Sequence, residues 1–183
     1  MRAISGGPIY VSDMLERSRP EIFEPLAYAD GRILRCDHPG VPTYDCVTID
    51  PTTSGKALKL QNNVGEHGIL AVLNLDKDNG AVTAVIRGED IDGFEADEYA
   101  VYEHYSKELK ILKKGESFEI TLQNADEYKL YIFAPIHDGF AVIGRTDKFI
   151  SPAAIDRVAG ELVLLKEDGP CAVVKNGKLI INA

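Results

Sequence analysis

The sequence predicts a mainly β protein, an antiparallel β-sandwich, on three observations. Asn79-Gly80 and Asn176-Gly177 each stand between two apolar runs, which is the strongest short-range signal for a two-residue β-hairpin. From residue 69 onward, short apolar segments follow one another and are separated by glycine or charged turns. In several of these segments every second residue is apolar, as expected for a strand with one buried and one solvated face.

These signals define roughly ten strands in the region from Ile69 to the C-terminus. The alternation is clearest at Phe118, Ile120 and Leu122 and again at Tyr131 and Phe133. Three hairpins are expected: residues 69–75 with 81–87, residues 129–136 with 140–146 across Asp138-Gly139, and residues 172–175 with 178–182. The other strands are expected at 99–104, 108–112, 118–122 and 161–166, with a helical turn where Pro152 follows Ser151 as a cap.

The N-terminal region has a different pattern. Gly6-Gly7-Pro8 lead into the apolar run Ile9–Val11, which ends at Ser12 and Asp13, so the run predicts one strand with a carboxylate at its C-terminal end. Parallel strands of α/β enzymes present functional residues in this way. A short helix is expected next, because Ser18 can cap it and Pro20 suits its first turn, and Pro25 should end it. No repeating βαβ pattern follows.

The composition of the 183 residues argues against several classes of protein. The net charge of −9 disfavours binding to nucleic acid or to an anionic membrane surface, and no apolar run approaches the length of a membrane span. No signal-peptide pattern is present, so a cytoplasmic location is expected. The three cysteines, Cys36, Cys46 and Cys171, have no C-x-x-C spacing, which predicts buried, reduced and unreactive thiols.

Motifs that carry chemistry are scarce. The four histidines, at positions 38, 67, 104 and 137, lack metal-binding spacing, so neither a metal site nor a cofactor is expected. The acidic clusters at 88–92 and 95–98 are interpreted as solvated turns, and Asp37, Asp45 and Asp50 as turn or capping residues. Tyr99, Tyr102 and Tyr105 could form a sugar-stacking platform, although the interpretation as core residues is favoured.

An ordered series of motifs resembles the raffinose synthase and seed imbibition protein family, which is related to the α-galactosidases. The segment RAISGGPIYVSD at residues 2–13 is similar to the end of that family's catalytic barrel. Similar motifs follow in order over nearly the whole chain: DGRILR at 30–35, VPTYDC at 41–46, GKALKLQN at 55–62, GILAVLN at 68–74, YKLYIFAPI at 128–136, and the segment from Ala141 to the SPAA motif at 151–154. The match departs at Tyr44, where the family has a basic residue, and at Gln61, where it has a tryptophan, so substrate contacts at these two positions are not carried over.

The resemblance implies a specific organisation of the chain. Residues 1–30 are expected to be a remnant of the last strand and helix of a (β/α)₈ catalytic barrel, and residues 31–183 a C-terminal β-sandwich domain. The family's two catalytic aspartates belong to earlier barrel strands, so no catalytic residue is expected in this chain. Asp13 is the candidate residue for the rim of the substrate site.

The implied function is that of a noncatalytic C-terminal domain in an enzyme that acts on α-galactosides, either a hydrolase or a galactosyltransferase. Its implied partners are the missing N-terminal catalytic barrel of the same protein and, through the parent enzyme, α-galactoside sugars. The alternative is a free-standing carbohydrate-binding or structural β-sandwich module. Because a barrel strand without its neighbours has unpaired edges, residues 2–13 are expected to make few contacts with the sandwich.

Overall fold

The computed structural model describes residues 2–10 and 19–182, and this part of the chain contains thirteen β-strands. The strands are β1 Val41–Pro42, β2 Leu58–Val64, β3 His67–Leu73, β4 Val82–Ile86, β5 Glu98–Glu103, β6 Leu109–Lys113, β7 Phe118–Leu122, β8 Tyr128–Pro135, β9 Phe140–Arg145, β10 Ile155–Ala159, β11 Leu162–Leu165, β12 Cys171–Lys175 and β13 Lys178–Asn182. The helical elements of these ranges are the α-helix α1, Pro20–Phe23, and 3₁₀ turns at Glu24–Leu26, Tyr44–Cys46, Gly88–Asp90 and Ser151–Ala154.

The strands form one large sheet and three small ones, all with antiparallel pairing. The large sheet has six strands in the order β1-β2-β3-β8-β5-β6. A three-stranded sheet has the order β13-β12-β9, and β4-β7 and β10-β11 form separate pairs. The prediction of a mainly β, antiparallel fold is therefore confirmed, and every segment expected to be a strand from residue 69 onward contains one.

Two apolar cores lie on opposite faces of the six-stranded sheet. On one face, Ile132 of β8 packs with residues of β9 and β12 and with Ile4 from the N-terminal region. On the other face, Phe133 packs with residues of β4 and β7. The alternation predicted at Tyr131 and Phe133 is consequently wrong, because β8 is buried on both faces. In β7, where one face is exposed, the predicted alternation is confirmed.

The three predicted hairpins have different outcomes. Asn176-Gly177 joins β12 to β13 with positive φ at both residues, as a type I′ turn requires. Asp138-Gly139 also has positive φ at both residues, and His137 and Phe140 exchange backbone hydrogen bonds, but β8 and β9 then diverge into different sheets.

The prediction of a β-hairpin at Asn79-Gly80 is wrong. β3 pairs with β2 and β8, while β4 pairs with β7. The turn itself is built around Asp76, whose Oδ1 accepts hydrogen bonds from the backbone N–H groups of Asp78 and Gly80. A turn of this kind changes the direction of the chain without joining adjacent strands.

The N-terminal region is only partly as predicted. α1 begins at Pro20, and Pro25 lies in the 3₁₀ turn that follows it. Ile9 and Tyr10 belong to no strand, and Val11, Asp13 and the expected cap Ser18 lie outside the described residues. No helix in residues 2–10 or 19–182 is long and apolar enough to cross a membrane.

Candidate functional site

The N-terminal segment, defined here as residues 2–10, is attached to the β-domain at its first half. Ile4 is buried in the core. The side-chain amide of Asn62 donates hydrogen bonds to the carbonyl oxygens of Ile4, at 2.8 Å, and His38, at 2.5 Å. Gly40 donates its backbone N–H to the carbonyl of Ser5 at 3.1 Å. The expectation of few contacts is thus wrong for residues 3–6, because burial of Ile4 and pairing of backbone groups hold them in place.

Two glycines permit this close approach. A Cβ atom at Gly6 would lie 2.0 Å from the carbonyl oxygen of His38, and the residue has a φ of +67°. A Cβ atom at Gly40 would lie 2.6 Å from the carbonyl oxygen of Ile4. Both separations are shorter than any van der Waals contact, so this junction requires glycine on both chain segments.

An apolar groove of about 340 Å³ opens beside the N-terminal segment. Its floor is formed by Ala71 and Leu73 of β3 and Leu130 of β8. One wall consists of the helical residues Ile22, Phe23 and Leu26, and Arg2, Ala3 and Ile4 of the N-terminal segment also line the groove. Charged groups at the groove are limited, among its described lining residues, to Arg2 and Lys129.

A further wall of the groove is aromatic and is made of Tyr105, Tyr128 and Phe149. The rings of Tyr105 and Tyr128 meet edge to face, with centroids 5.2 Å apart. His104 lies behind this wall, 5.0 Å from Tyr105 and 5.3 Å from Phe149 between ring centroids. Tyr105 is 44% exposed, whereas Tyr99 and Tyr102 are buried in the two cores, so the three tyrosines do not form a common sugar platform.

His104 makes the aromatic wall sensitive to acid. Burial is the main cause that lowers the pKa of His104 to about 4; the ammonium of Lys107 acts in the same direction, and the carboxylates of Glu103 and Asp147 oppose it. Because the pKa is lower in the folded than in the unfolded chain, the stabilisation is complete above about pH 6.5 and is lost as pH falls toward 4. We expect His104 to remove about 2 kcal/mol of unfolding free energy between pH 7 and pH 5.

The check is urea unfolding at the two pH values for the natural chain and for His104→Phe. Carboxylates with lowered pKa values also destabilise the fold in acid, and they are common to both proteins. The decline in unfolding free energy between pH 7 and pH 5 should therefore be smaller in the variant. Equal declines would contradict the assignment of this acid sensitivity to His104.

A second cavity, of about 420 Å³, lies next to His38 and Asn62 and is polar. Gln61 lines it and is buried, with its side-chain nitrogen donating to Asp92 Oδ2 at 2.9 Å and its side-chain oxygen accepting from the Asp92 N–H at 3.3 Å. At this position, where the sequence departs from the family's tryptophan, the side chain therefore serves to hold the segment around Asp92. Tyr44, the other departure, is 93% exposed.

A buried ion cluster joins β2 to the chain between β4 and β5. The ammonium of Lys59 lies 2.5 Å from Asp90 Oδ2 and 2.9 Å from Asp45 Oδ2, and it donates to the carbonyl of Val85 at 2.9 Å. Asp90 also accepts from Arg87 Nε at 3.0 Å. The interpretation of Asp90 as part of a solvated turn is therefore wrong, because the carboxylate is buried against a buried lysine.

Six of the described carboxyl groups have a lowered pKa, which is the opposite of what a glycosidase acid requires. In that role a carboxyl group needs a raised pKa, so that it is protonated when substrate binds. Among residues 2–10 and 19–182, each carboxyl group with a resolved shift has a lowered pKa: Asp30, Asp45, Asp50, Glu103, Asp147 and Glu167. For Asp45, burial acts to raise the pKa, and the Thr43 hydroxyl and Lys59 ammonium outweigh it.

The remaining candidate residues are placed as follows. Cys36, Cys46 and Cys171 are free and buried, as predicted, and burial raises the pKa of Cys36 to about 12. His67 and His137 line one cavity, but no group of three or more potential metal ligands occurs in the part of the chain that the structure describes. Asp13, the candidate rim residue, lies outside the described residues.

The fold and site together define an antiparallel β-domain with an apolar, aromatic-walled groove beside an attached N-terminal segment. The chain matches the family model "Raffinose synthase or seed imbibition protein Sip1" over residues 1–167. It belongs to this family, as the ordered motifs predicted.

Curated relatives include the galactinol–sucrose galactosyltransferase of Oryza sativa, 32% identical over 182 residues, with 84% of this chain and 23% of that protein covered. The stachyose synthase of Pisum sativum is 27% identical over 185 residues, with 84% and 22% covered. The chain thus spans about a quarter of the length of these relatives. A solved Bacillus halodurans protein, provisionally assigned as an α-N-acetylgalactosaminidase, shares 15% identity at a TM-score of 0.41, over 53% of this chain and 21% of that one.

Proposed function

We propose that this chain is the noncatalytic C-terminal β-domain of an enzyme that acts on α-galactosides, and that its groove receives the catalytic barrel of the same protein. The observation that carries the proposal is the attachment of the N-terminal segment. This segment resembles the end of the family's barrel, and it contributes Arg2, Ala3 and Ile4 to the groove. If this segment is the end of a barrel in the parent protein, the rest of that barrel would lie next to the groove.

The chemistry of the groove supports a protein partner. Its floor and walls are apolar, and exposed apolar surface of this kind is typical of protein–protein contacts. The paired rings of Tyr105 and Tyr128 offer the aromatic surface that is enriched at such interfaces. The galactinol–sucrose galactosyltransferase and the stachyose synthase named above are about four times longer than the matched region, which leaves ample length for a catalytic domain.

The proposal is also consistent with the lowered pKa values of the carboxyl groups in this chain. A retaining or inverting glycosidase needs two carboxyl groups in a common cleft, one of them with a raised pKa. Asp45, Glu103 and Asp147 are partly buried carboxyl groups with lowered pKa values, so they stay ionised at neutral pH. Asp13 remains the proposed residue of the active-site rim, and the catalytic aspartates are assigned to the barrel.

We expect the isolated chain not to hydrolyse p-nitrophenyl α-galactoside, because a single positioned carboxylate cannot act as both nucleophile and acid. The measurement is release of p-nitrophenol by the purified chain, with a commercial α-galactosidase as the positive control. Turnover that persists through purification and disappears in Asp13→Ala would place catalysis in this chain. Titration with galactose and raffinose provides a second readout, since saturable, tight binding would favour the free-standing module.

The role of the groove is tested in a chimera in which this chain replaces the matching region of the rice galactosyltransferase. Tyr105→Lys, which introduces a charge into the groove, should lower the yield of soluble, active chimera. The matched control is Leu162→Lys, because Leu162 is also an exposed hydrophobic residue but does not line the groove. Equal activity of the two variants would argue against docking through the groove. So would an unsubstituted chimera that is inactive although both of its parts are folded.

A further inference from the structure

The last strand, β13, is an edge strand with solvent-exposed apolar side chains. In the described part of the chain it pairs only with β12 and ends the order β13-β12-β9. Ile180 is 41% exposed and Ile181 is 48% exposed. Adjacent residues of a strand point to opposite faces, so β13 exposes an isoleucine on each face. Natural edges usually carry charge, proline or a bulge that prevents pairing, and the centre of β13 has none of these.

The hairpin at Asn176-Gly177 determines which backbone groups of β13 are free. A two-residue hairpin closes on a pair that exchanges hydrogen bonds, and here that pair is Lys175 and Lys178. Bonding alternates from there, so Leu179 and Ile181 direct their N–H and C=O groups away from β12. Two residues with outward backbone groups, two positions apart, are the minimum unit of an antiparallel ladder.

We propose that β13 pairs with β13 of a second copy of this chain, antiparallel and centred on Ile180. In this register Leu179 of one copy lies opposite Ile181 of the other, so the outward-pointing backbone groups face each other and form four hydrogen bonds. Ile180 meets the partner's Ile180 at a non-hydrogen-bonded position, where side chains are closest. The two three-stranded sheets become one six-stranded sheet.

The side chains favour this antiparallel arrangement over a parallel one. Lys178 lies opposite Asn182 of the second copy, so no like charges meet, whereas a parallel arrangement in register would place Lys178 beside Lys178. Leu179 packs against the core that β12 contributes to, and Ile181 is on the same face of β13. Pairing therefore extends this apolar face from one copy to the next and buries both isoleucines.

A second copy fits better than the catalytic barrel as the occupant of this edge. β13 lies beyond residues 1–167, the region that matches the family model, so the strand is not part of what this chain shares with that model. The pairing is self-complementary, because Leu179 and Ile181 of one copy face Ile181 and Leu179 of the other, so a second copy supplies the whole ladder. The proposal concerns a surface separate from the groove, so it stands or fails independently of the proposed function.

The first test is sedimentation equilibrium of the whole chain over about 1 to 500 µM, a range suited to a small interface. We expect a reversible monomer–dimer equilibrium. Ile180→Lys places two like charges at the symmetry axis and should weaken association by at least about tenfold. The matched control is Leu164→Lys, which introduces the same charge on β11 at a residue that is 46% exposed, and it should leave the dimer intact. A chain that is monomeric throughout the range would overturn the proposal.

A backbone test and a cross-linking test define the register. Ile181→Pro removes an N–H that points away from β12, so it should abolish the dimer while the circular dichroism spectrum of the monomer is kept. Ile180→Cys should form a disulfide between copies with oxidised glutathione, because residues at a non-hydrogen-bonded pair are close enough. Leu179→Cys and Ile181→Cys, each made alone, should not, and the native cysteines are buried. A dimer that resists Ile180→Lys, or that cross-links through position 179 or 181 instead, would contradict the proposed pairing.

Discussion

Lys59→Ala should remove about 3–5 kcal/mol of unfolding free energy, which is a large part of the 5–15 kcal/mol typical of a domain. Lys59 is fully buried and contacts two carboxylates and a backbone carbonyl. Its removal leaves the buried carboxylate of Asp90 with Arg87 as its remaining cation among the contacts described. The cost arises mainly from this uncompensated charge. The expected loss is therefore larger than the net stabilisation that the intact Lys59–Asp90 ion pair provides.

Two further variants separate this explanation from a general effect of losing a lysine. Arg32→Ala breaks the exposed pair of Arg32 with Asp30 and should change stability very little, because solvent screens both charges. The double variant Lys59→Met with Asp90→Leu removes both buried charges and should recover much of the lost stability. Denaturant unfolding of the four proteins measures this. If Lys59→Ala were no more harmful than Arg32→Ala, the cluster would not be a buried, desolvated ion pair.

Gly6→Ala should detach the N-terminal segment from the β-domain. The new methyl group would lie 2.0 Å from the His38 carbonyl oxygen, a backbone atom that cannot move independently. The clash is relieved if residues 2–6 leave their position, which exposes Ile4 and breaks the bonds from Asn62 and Gly40. Loss of the burial of Ile4 alone corresponds to about 1.5–3 kcal/mol.

Gly55→Ala is the matched control for this substitution. Gly55 has the same φ of +67°, but a Cβ atom there meets nothing within 4 Å. It should lose only the roughly 1–2 kcal/mol that an L-residue pays in the left-handed region. Amide hydrogen exchange should show faster exchange at residues 3–6 in Gly6→Ala and not in Gly55→Ala. Equal losses of stability with unchanged exchange at residues 3–6 would mean that the junction tolerates a side chain.

The sequence predicted the strands better than their pairing. Asn79-Gly80 has the composition of a hairpin and does form a turn, with positive φ at Asn79. Which strand lies next to β3 is decided by contacts far along the chain, and a local turn signal carries no information about them. At Asn176-Gly177 the strands on both sides are short and adjacent, so the same local signal was sufficient.

β2 was missed in the sequence because its buried face is polar. Lys59 and Gln61 occupy inward positions where a strand pattern would have apolar residues. Their partners, Asp90 and Asp92, lie about thirty residues further along the chain, where the acidic cluster was interpreted as a solvated turn. The sequence signal that could have linked the two segments is Lys59, a lysine between two leucines in a strand pattern, together with the acidic cluster at 88–92.

The groove could not be predicted from spacing for a related reason. Its lining comes from six separate stretches, including the N-terminal segment, α1 and single residues such as Tyr105 and Phe149. The sequence singled out Tyr105 only as one of three regularly placed tyrosines. Its exposure follows from its position just after the end of β5, whereas Tyr99 and Tyr102 lie within that strand.

The strand order of the large sheet has a consequence for how the chain reaches its native state. β3 lies next to β8, with Ile69 opposite Ile132, so the central ladder joins segments that are separated by four other strands in the sequence. Closing so long a loop costs chain entropy before any compensating contact forms, and proteins dominated by such non-local pairings fold in milliseconds to seconds, far more slowly than helical bundles. Until β8 joins the sheet, β3 has an open apolar edge. The late arrival of β8 therefore leaves β3, a strand that is almost wholly buried in the native fold, exposed to aggregation while the chain folds.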